Sequence, residues 1–330
     1  MKALLHIRMM TVCQLLLWLA GLIVTSCSGM IYDEEGDCTV TYQVKFRYDW
    51  NMKFADAFAN EVKSVRLYAF DAETKEQVWQ SEEMEVTTEN FTIPMDVPAG
   101  KYQLLAWGGL KDNGSFALQD DLSCKLNRNR GTDGKAYVDT DLHPLFHGTL
   151  ECALPDEPGV HTFTMPIKKN TNVIRVVLQH LSEQELDKNM FSFRITDTNG
   201  WMSQNNELLP DEQVTYRAWS TESGSAGMEQ RAVTQVNSVV AELTVARLVK
   251  GQDAVLTVVN NETHEEVLRI PLIDVALLVK GNYNREMSDQ EYLDRQDEYN
   301  MTFVLDESKN WMNAYIYINS WKVVLQHTDL

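Results

Sequence analysis

Basic residues are scarce in this chain of 330 residues: 29 Lys and Arg stand against 48 Asp and Glu, a formal charge of −19 at pH 7. So acidic a surface repels phosphate backbones, and no basic stripe interrupts it, which argues against nucleic acid as a partner. Long apolar runs are missing too. The run Val12–Val24, interrupted by Gln14, is shorter than the roughly 20 apolar residues of a spanning helix. The five cysteines show no CxxC or Cys/His spacing that would frame a zinc site. No Gly-rich phosphate loop is present. What is there is ordinary globular composition, 44% hydrophobic and 23% charged, at a length that fits two domains, each able to bury a core.

The N-terminus reads as a processed leader. Lys2, His6 and Arg8 form a basic head, the Val12–Val24 run follows, and Val24-Thr25-Ser26-Cys27 resembles a bacterial lipobox. The alternative is a cysteine that ends an ordinary cleavable signal. On the lipobox reading residues 1–26 are removed, Cys27 becomes the first residue and carries acyl chains, and the formal charge passes from −19 to −21 because two bases and no acid are lost. Asp33, Glu34, Glu35 and Asp37 then make residues 27–37 an acidic tether. That segment resembles a surface-export signal of Gram-negative lipoproteins, or it is a solvated spacer. Cys38, Cys124 and Cys152 remain, enough for one bridge, with Cys124 to Cys152 the candidate.

From Val40 the pattern is that of strands. Val40, Tyr42, Val44, Phe46 and Tyr48 alternate with Thr41, Gln43, Lys45 and Arg47, a half-buried strand by period and content. Further strands are expected over 62–70, 77–80, 91–95, 102–107, 145–154 and 160–167, with Pro98-Ala99-Gly100 a tight turn and 111–143 a loop-rich interval. Lys168-Lys169-Asn170 is the expected boundary between an N-terminal sandwich (38–168) and a C-terminal one (169–330). The second half is again strand-rich, over 173–178, 191–195, 214–219, 239–249, 255–259 and 267–273, then 314–318 and 321–325. Ser182-x-x-Glu185 and Ser288-x-x-Glu291 are capping boxes and predict two short helices. Strands at this spacing without long helices give an all-β chain of antiparallel sandwiches in series.

Chemistry is thinly signposted. His143 and His147 with Asp139, Asp141 and His161 are the one conceivable metal cluster, but Pro144 prevents the pair from aligning within a helix. His264-Glu265-Glu266 lacks the second histidine of a zincin motif, and Gly224–Gly227 reads as a flexible loop, not a nucleophile elbow. Asp289, Glu291, Asp294, Asp297 and Glu298 crowd one short helix and its end, where solvation is expected and no opposed carboxylate pair forms. No catalytic residue, metal or cofactor is assigned, and no enzyme is expected.

Several blocks together resemble the FimB-type family of fimbrillin-associated anchor subunits: Cys27 with Tyr32-Asp33, the stretches 46–52, 55–58, 67–71 and 106–110, then Leu145-Phe146-His147-Gly148, 168–172, Asp197-Thr198-Asn199-Gly200, 289–296 and Ile318-Asn319-Ser320-Trp321. The turn Asp71-Ala72-Glu73-Thr74 departs from the pattern in having no glycine. The resemblance implies two transthyretin-like β-sandwich domains, short helices in the second, on a surface lipoprotein of the outer membrane. It implies a place at the base of type V fimbriae, fimbrillin and accessory fimbrial subunits as partners, and a part in limiting fibre length. Only Cys27, as the lipid-attachment site, carries over by position. The competing expectation is a glycan-binding lipoprotein on the same scaffold, its aromatics drawn from Trp50, Trp79, Trp201, Trp219 and Trp311. The final segment, Trp321, Val323 and Leu325 on one face against Lys322, Val324 and Gln326, either docks a fibre subunit or completes the second sandwich.

Overall fold

Alternating strands with one buried face must be covered, and here they cover one another. The computed structural model describes residues 39–180, 186–227, 235–283 and 286–324. Cys27, Cys38, the leader, the tether and the Ser182–Glu185 capping box lie outside the described residues.

The first half runs β1 (Val40–Arg47), α1 (Phe58–Glu61), β2 (Ser64–Asp71), β3 (Gln77–Gln80), β4 (Met84–Glu85), β5 (Thr92–Met95) and β6 (Gly100–Gly108). Short strands follow, β7 (Phe116–Leu118), β8 (Cys124–Leu126), β9 (Asn129–Arg130) and β10 (Ala136–Val138), before the pair β11 (Phe146–Leu154) and β12 (Gly159–Lys169). The second half holds β13 (Thr171–His180), β14 (Phe191–Asp197), β15 (Trp201–Met202), β16 (Val214–Arg217), β17 (Ser220–Gly227), β18 (Gln235–Ala246), β19 (Val255–Asn260) and β20 (Glu266–Pro271). It ends with α2 (Leu272–Leu277), α3 (Lys280–Tyr283), α4 (Asp289–Arg295), β21 (Glu298–Leu305), β22 (Trp311–Ile318) and β23 (Trp321–Val324).

The fold is all-β, built from sandwiches with a few short helices. One sheet, in the order β3-β2-β6-β11-β12-β1-β5 with β4 also on β2, carries the first half. Its core is aromatic: Phe46 stacks on Phe58 with ring centroids 5.5 Å apart, and Phe91 lies 6.1 Å from Phe46. Two six-stranded sheets, β20-β19-β14-β16-β10-β9 and β17-β18-β13-β21-β22-β23, form the second. Ile174, Val176 and Leu178 of β13 and Leu243 of β18 share one buried cluster with Ile195 of β14 and Leu256 of β19.

Residues 39–41 and 156–161 form a small unit of their own. Within that small unit the Gly159 N–H donates to Thr39 O at 3.0 Å. All else described here lies in the large unit, residues 42–155 and 162–324.

Several expectations are revised. The interval 111–143 is not merely loop: β9 and β10 extend the β14–β16 sheet of the second half, with Tyr137 opposite Thr215 in a parallel pair, and β8 pairs with β7 on one side and β15 on the other. Gly224–Gly227 belongs to β17 and pairs with β18, Gly224 opposite Ser238. A helix, α1, stands in the first half, where Asp56 Oδ1 accepts from the N–H groups of both Tyr48 and Phe58 at 3.0 Å and sets the turn into it. Cys124 and Cys152 are both free, Cys124 fully buried in β8 and Cys152 on β11, so that candidate bridge is not formed. The glycine-free turn after Asp71 closes because Asp71 Oδ1 accepts from Glu73 and Thr74 N–H at 2.8 Å and Lys75 takes the left-handed φ of 61°.

Candidate functional site

The chain crosses from β12 to β13 through one residue, Asn170, and its surface is fully buried. This is no exposed linker. Around it converge the Trp50 loop, the end of β12, the start of β13, the loop at Gln204–Asn206, the end of β18 and α4.

Each element is locally determined. Asn51 folds the Trp50 loop on itself, its Nδ2 donating to Tyr48 O at 2.9 Å and Ala55 O at 2.8 Å while its Oδ1 accepts from Lys53 N at 3.0 Å. Such side-chain-to-backbone bonds replace ladder bonds in a loop that has none. Ser288 caps α4 as expected, its Oγ accepting from Glu291 N at 3.0 Å, and Tyr292 and Leu293 face the core.

At the centre is Asp294, whose side chain is 1% exposed. Arg247 grips it bidentately, Nε to Oδ1 at 2.8 Å and Nη2 to Oδ2 at 2.9 Å. Lys168 Nζ donates at 3.1 Å and Gln290 Nε2 at 2.8 Å. Burial alone would raise the carboxyl's pKa, but the hydrogen bonds and charge of Arg247, with Lys168 behind them, more than offset it and hold the group below the ordinary carboxylate range. One expectation therefore fails. Asp294 is not part of a solvated acidic face.

The neighbouring residue turns the other way. Arg295 Nε donates to Glu291 Oε1 at 2.8 Å and Nη1 to Asp49 O at 2.9 Å, while its guanidinium lies 4.2 Å from the Trp50 ring centroid and 4.7 Å from that of Phe54. Lys168 Nζ sits 4.6 Å from the same Trp50 ring. Both cations meet one indole, and Arg295, its side chain 11% exposed, thereby holds the first-half loop against α4 of the second half. Lys169 adds a second clamp, to Asp297 at 2.8 Å and to Glu61 of α1 at 3.1 Å.

Amides fill the gaps. Asn170 and Asn206 exchange side-chain bonds at 2.7 and 3.1 Å. Asn172 donates to Gln296 O at 3.0 Å, and Asn199 donates to Ala246 O at 2.9 Å and Arg247 O at 3.1 Å while accepting from Tyr216 at 2.6 Å. The stretches 46–52, 145–148, 168–172, 197–200 and 289–296, scattered in sequence, are brought together here. With its charged groups and amides paired with one another, the cluster is a fastener.

His147 belongs to this fastener, not to a metal cluster. Its Nε2 donates to Gln204 O at 2.8 Å and its ring meets Trp107 edge-on, centroids 4.8 Å apart. His143 is exposed, and Asp141 Oδ1 accepts from Thr244. Among the described residues no group of three or more His, Cys, Asp or Glu is placed to hold a metal. Burial, with Arg247 and Lys168 adding to it, pushes the His147 imidazole from 6.5 down to about 4 despite the Gln204 bond. A depressed base folds neutral, so its contribution is whole at pH 7 and is lost as pH falls from 6.5 toward 4, where only the unfolded chain takes the proton. Urea unfolding at pH 7.5 and 4.5 is expected to show roughly 2–3 kcal/mol of loss that His147→Gln removes. An unchanged pH slope in the variant contradicts this assignment.

The tryptophans expected of a glycan platform are all half-buried. Trp50 is covered as described, Trp201 lies under Lys125 Nζ at 4.1 Å and donates to Ser123, Trp219 donates to Thr244, and Trp311 packs edge-on against Phe303. Sequence reading missed Arg247. It follows the last residue of β18 with no local signal, 47 residues from its partner. The terminal segment is placed as β23, paired with β22 in the register Tyr317 to Lys322 and Ile316 to Val323, and it forms the sheet edge, with Trp321 44% and Val324 66% exposed. Leu325 and Gln326 lie outside the described residues. No described helix is long and apolar enough to cross a membrane.

Comparison with known proteins agrees with this architecture. A family model described as fimbrillin-A associated anchor proteins Mfa1 and Mfa2 matches residues 34–327. The minor fimbrium anchoring subunit Mfa2 of Porphyromonas gingivalis is 22% identical over 263 residues, covering 76% of each chain. Among solved structures, a protein described as an adhesin from Bacteroides thetaiotaomicron superposes with a TM-score of 0.76 at 32% identity, covering 86% of this chain and 97% of its own. The fimbrial anchor protein Mfa2 from Porphyromonas gingivalis gives 0.62 at 17% identity, covering 88% and 100%.

Proposed function

The chain belongs to the family of fimbrillin-A associated anchor proteins, and from that premise we propose that it is the subunit fixing a fimbria to the outer membrane through a lipidated Cys27. On this reading residues 1–26 are removed, 27–37 tether the fold to the lipid, 38–168 form the sandwich nearer the membrane, and 169–330 form the sandwich that meets the fibre. A subunit held at the membrane ends the fibre at its base, and so limits its length.

The observation that carries the proposal is the family match over residues 34–327, which spans both halves and the buried junction between them. An anchor transmits load, and a load entering through the second half and leaving at the N-terminus must pass Asn170. A bare linker there would let the halves swing. The Lys168–Asp294 pair, the Lys169 clamp between Glu61 and Asp297, and the Arg295 guanidinium on Trp50 tie the two across that single connection.

The fibre contact is assigned to β23, whose outer edge has no partner strand among the described residues. An open edge offers main-chain hydrogen bonds to an added strand, while alternate side chains set the register. The test isolates the mature chain from outer membranes beside a version truncated after Asn319. Fimbrillin is expected to accompany the full chain, and the truncated chain is expected to stay folded and come without it. Polysaccharide in place of fimbrillin on the full chain overturns the anchor reading. Fimbrillin on a folded, truncated chain moves the contact to another edge.

A further inference from the structure

The outer face of the sheet containing β14 carries a row of arginines. Strand register sets Arg269 opposite Thr257, Thr257 opposite Arg194 and Arg194 opposite Arg217, so three arginines stand on one cross-strand line over β20, β19, β14 and β16. With strands about 4.8 Å apart the row spans on the order of 14 Å. The next row is Thr196, Thr215 and Tyr137. Together they line an open groove of about 720 Å³.

The charges are unusual for this chain. Acids outnumber bases 48 to 29, yet Arg194 and Arg217 have no carboxylate within ion-pair distance among the described residues. Arg269 has Glu266 at 3.6 Å and Lys135 has Asp133 at 3.7 Å. Like charges directly opposite on neighbouring strands destabilise the pair. Arg217 is partly accommodated by lying 3.9 Å over the Tyr137 ring, but Arg194 has no such contact. An arrangement that weakens the free protein is relieved by an anion placed between the two guanidinium groups.

We propose that this groove binds an anionic polysaccharide, with a sugar carboxylate held between Arg194 and Arg217 and ring hydroxyls meeting Thr196, Thr215 and Ser192. A sheet face favours sugar over an acidic peptide. Its backbone N–H and C=O groups are consumed in the ladders, so an extended peptide has no main-chain bonds to make there and would add at an edge instead. Hydroxyl side chains flanking planar guanidinium forks match the hydroxyl and carboxylate pattern of a uronic acid. The net charge of −19 does not prevent binding: at physiological ionic strength charges beyond about 8 Å are screened, and the local row dominates. This site is independent of the anchor reading.

Affinity electrophoresis of the full chain through polygalacturonate, with dextran and polyglutamate gels beside it, tests the proposal. Polygalacturonate is expected to retard the chain at about 0.15 M ionic strength and dextran not to, and Arg194→Ala with Arg217→Ala is expected to weaken the retardation by about tenfold. The same variant should unfold at equal or higher urea concentration, since it removes a repulsion, so lost binding is not lost folding. Absence of retardation, equal retardation by polyglutamate, or retardation unchanged in the double variant each overturns the assignment.

Discussion

Asp294→Ala should lower the free energy of unfolding by about 3–5 kcal/mol, the largest loss expected from any single side chain of the junction. The reason is what it leaves behind. Arg247, 11% exposed, would keep its charge with only the Asn206 carbonyl for company, and Lys168 would face it across the emptied site. Removing one partner of a buried pair costs more than the pair itself contributes, because the orphaned ion stays desolvated. Replacing both partners, Arg247→Met with Asp294→Leu, should therefore recover most of the stability. A surface pair gives the contrast: Lys188 and Glu222 are 45% and 70% exposed, and Glu222→Ala should change stability by less than about 1 kcal/mol. The carboxyl's depressed pKa adds a pH signature. Its contribution is present above the ordinary carboxylate range and is lost as pH falls through the lower folded value, so acid should weaken the wild type more than the double variant. Urea titrations at neutral and acid pH measure all of this, and a loss below about 1 kcal/mol for Asp294→Ala would show the site to be wet.

The parts of this fold that were legible in the sequence share one property, a local cause. The alternation from Val40 to Tyr48 is buried as its period required, because one face of the strand meets the core. Ser288 with Glu291 marks the start of α4, since a cap acts within one turn. The turn at Asn319-Ser320 joins β22 to β23 as read. Elements with a tertiary cause stayed hidden. Strands β7 to β10 are two or three residues long, too short for a period, and exist because neighbouring strands present an edge to them. The apolar run 267–273 reads as a single strand, yet after Pro271 the chain turns into α2, whose Leu272, Ile273, Val275 and Ala276 are buried. The two periods cannot be told apart over so short an apolar run. β21 was overlooked behind the acidic run before it, although it pairs in parallel with β13 along its whole length.

The junction divides in the same way. Segments around Trp50, Asn170 and Asp294 are distinctive in sequence, but nothing local says that they meet. Arg247 is the instructive case: it falls inside the stretch 239–249, which reads as one strand, yet β18 ends at Ala246 and the fold turns Arg247 inward onto α4. A helix carrying several acids is solvated by default. Asp294 differs from Asp289 only in the direction in which it points, toward Arg247 in one case and toward Lys280 near the surface in the other.

Cys27→Ser should release the protein from the membrane almost completely while leaving the fold as it is. The exchange lies outside the described residues, so the strands and the junction retain every contact described for them. The lipid, on the other hand, is the whole of the proposed attachment. Each buried methylene contributes about 0.8 kcal/mol, a single fourteen-carbon chain gives an association constant of only about 10⁴ M⁻¹, and a second chain multiplies that by a similar factor. An anchor bearing a pulling fibre needs the multiply acylated state, since one chain exchanges too readily under load. Without Cys27 there is no acyl chain, and no described helix supplies a span in its place. The acidic tether offers no substitute, because Asp33, Glu34, Glu35 and Asp37 are repelled by an anionic surface. Fractionation should find the variant in the soluble pool with wild-type urea stability, and fimbriae in the medium with the variant at their base. Intact mass of the wild type should show acyl groups on a chain beginning at residue 27. A mature N-terminus elsewhere without acyl mass, or a Cys27→Ser chain still in the outer membrane, would refute lipid anchoring and leave protein contacts to hold the fibre.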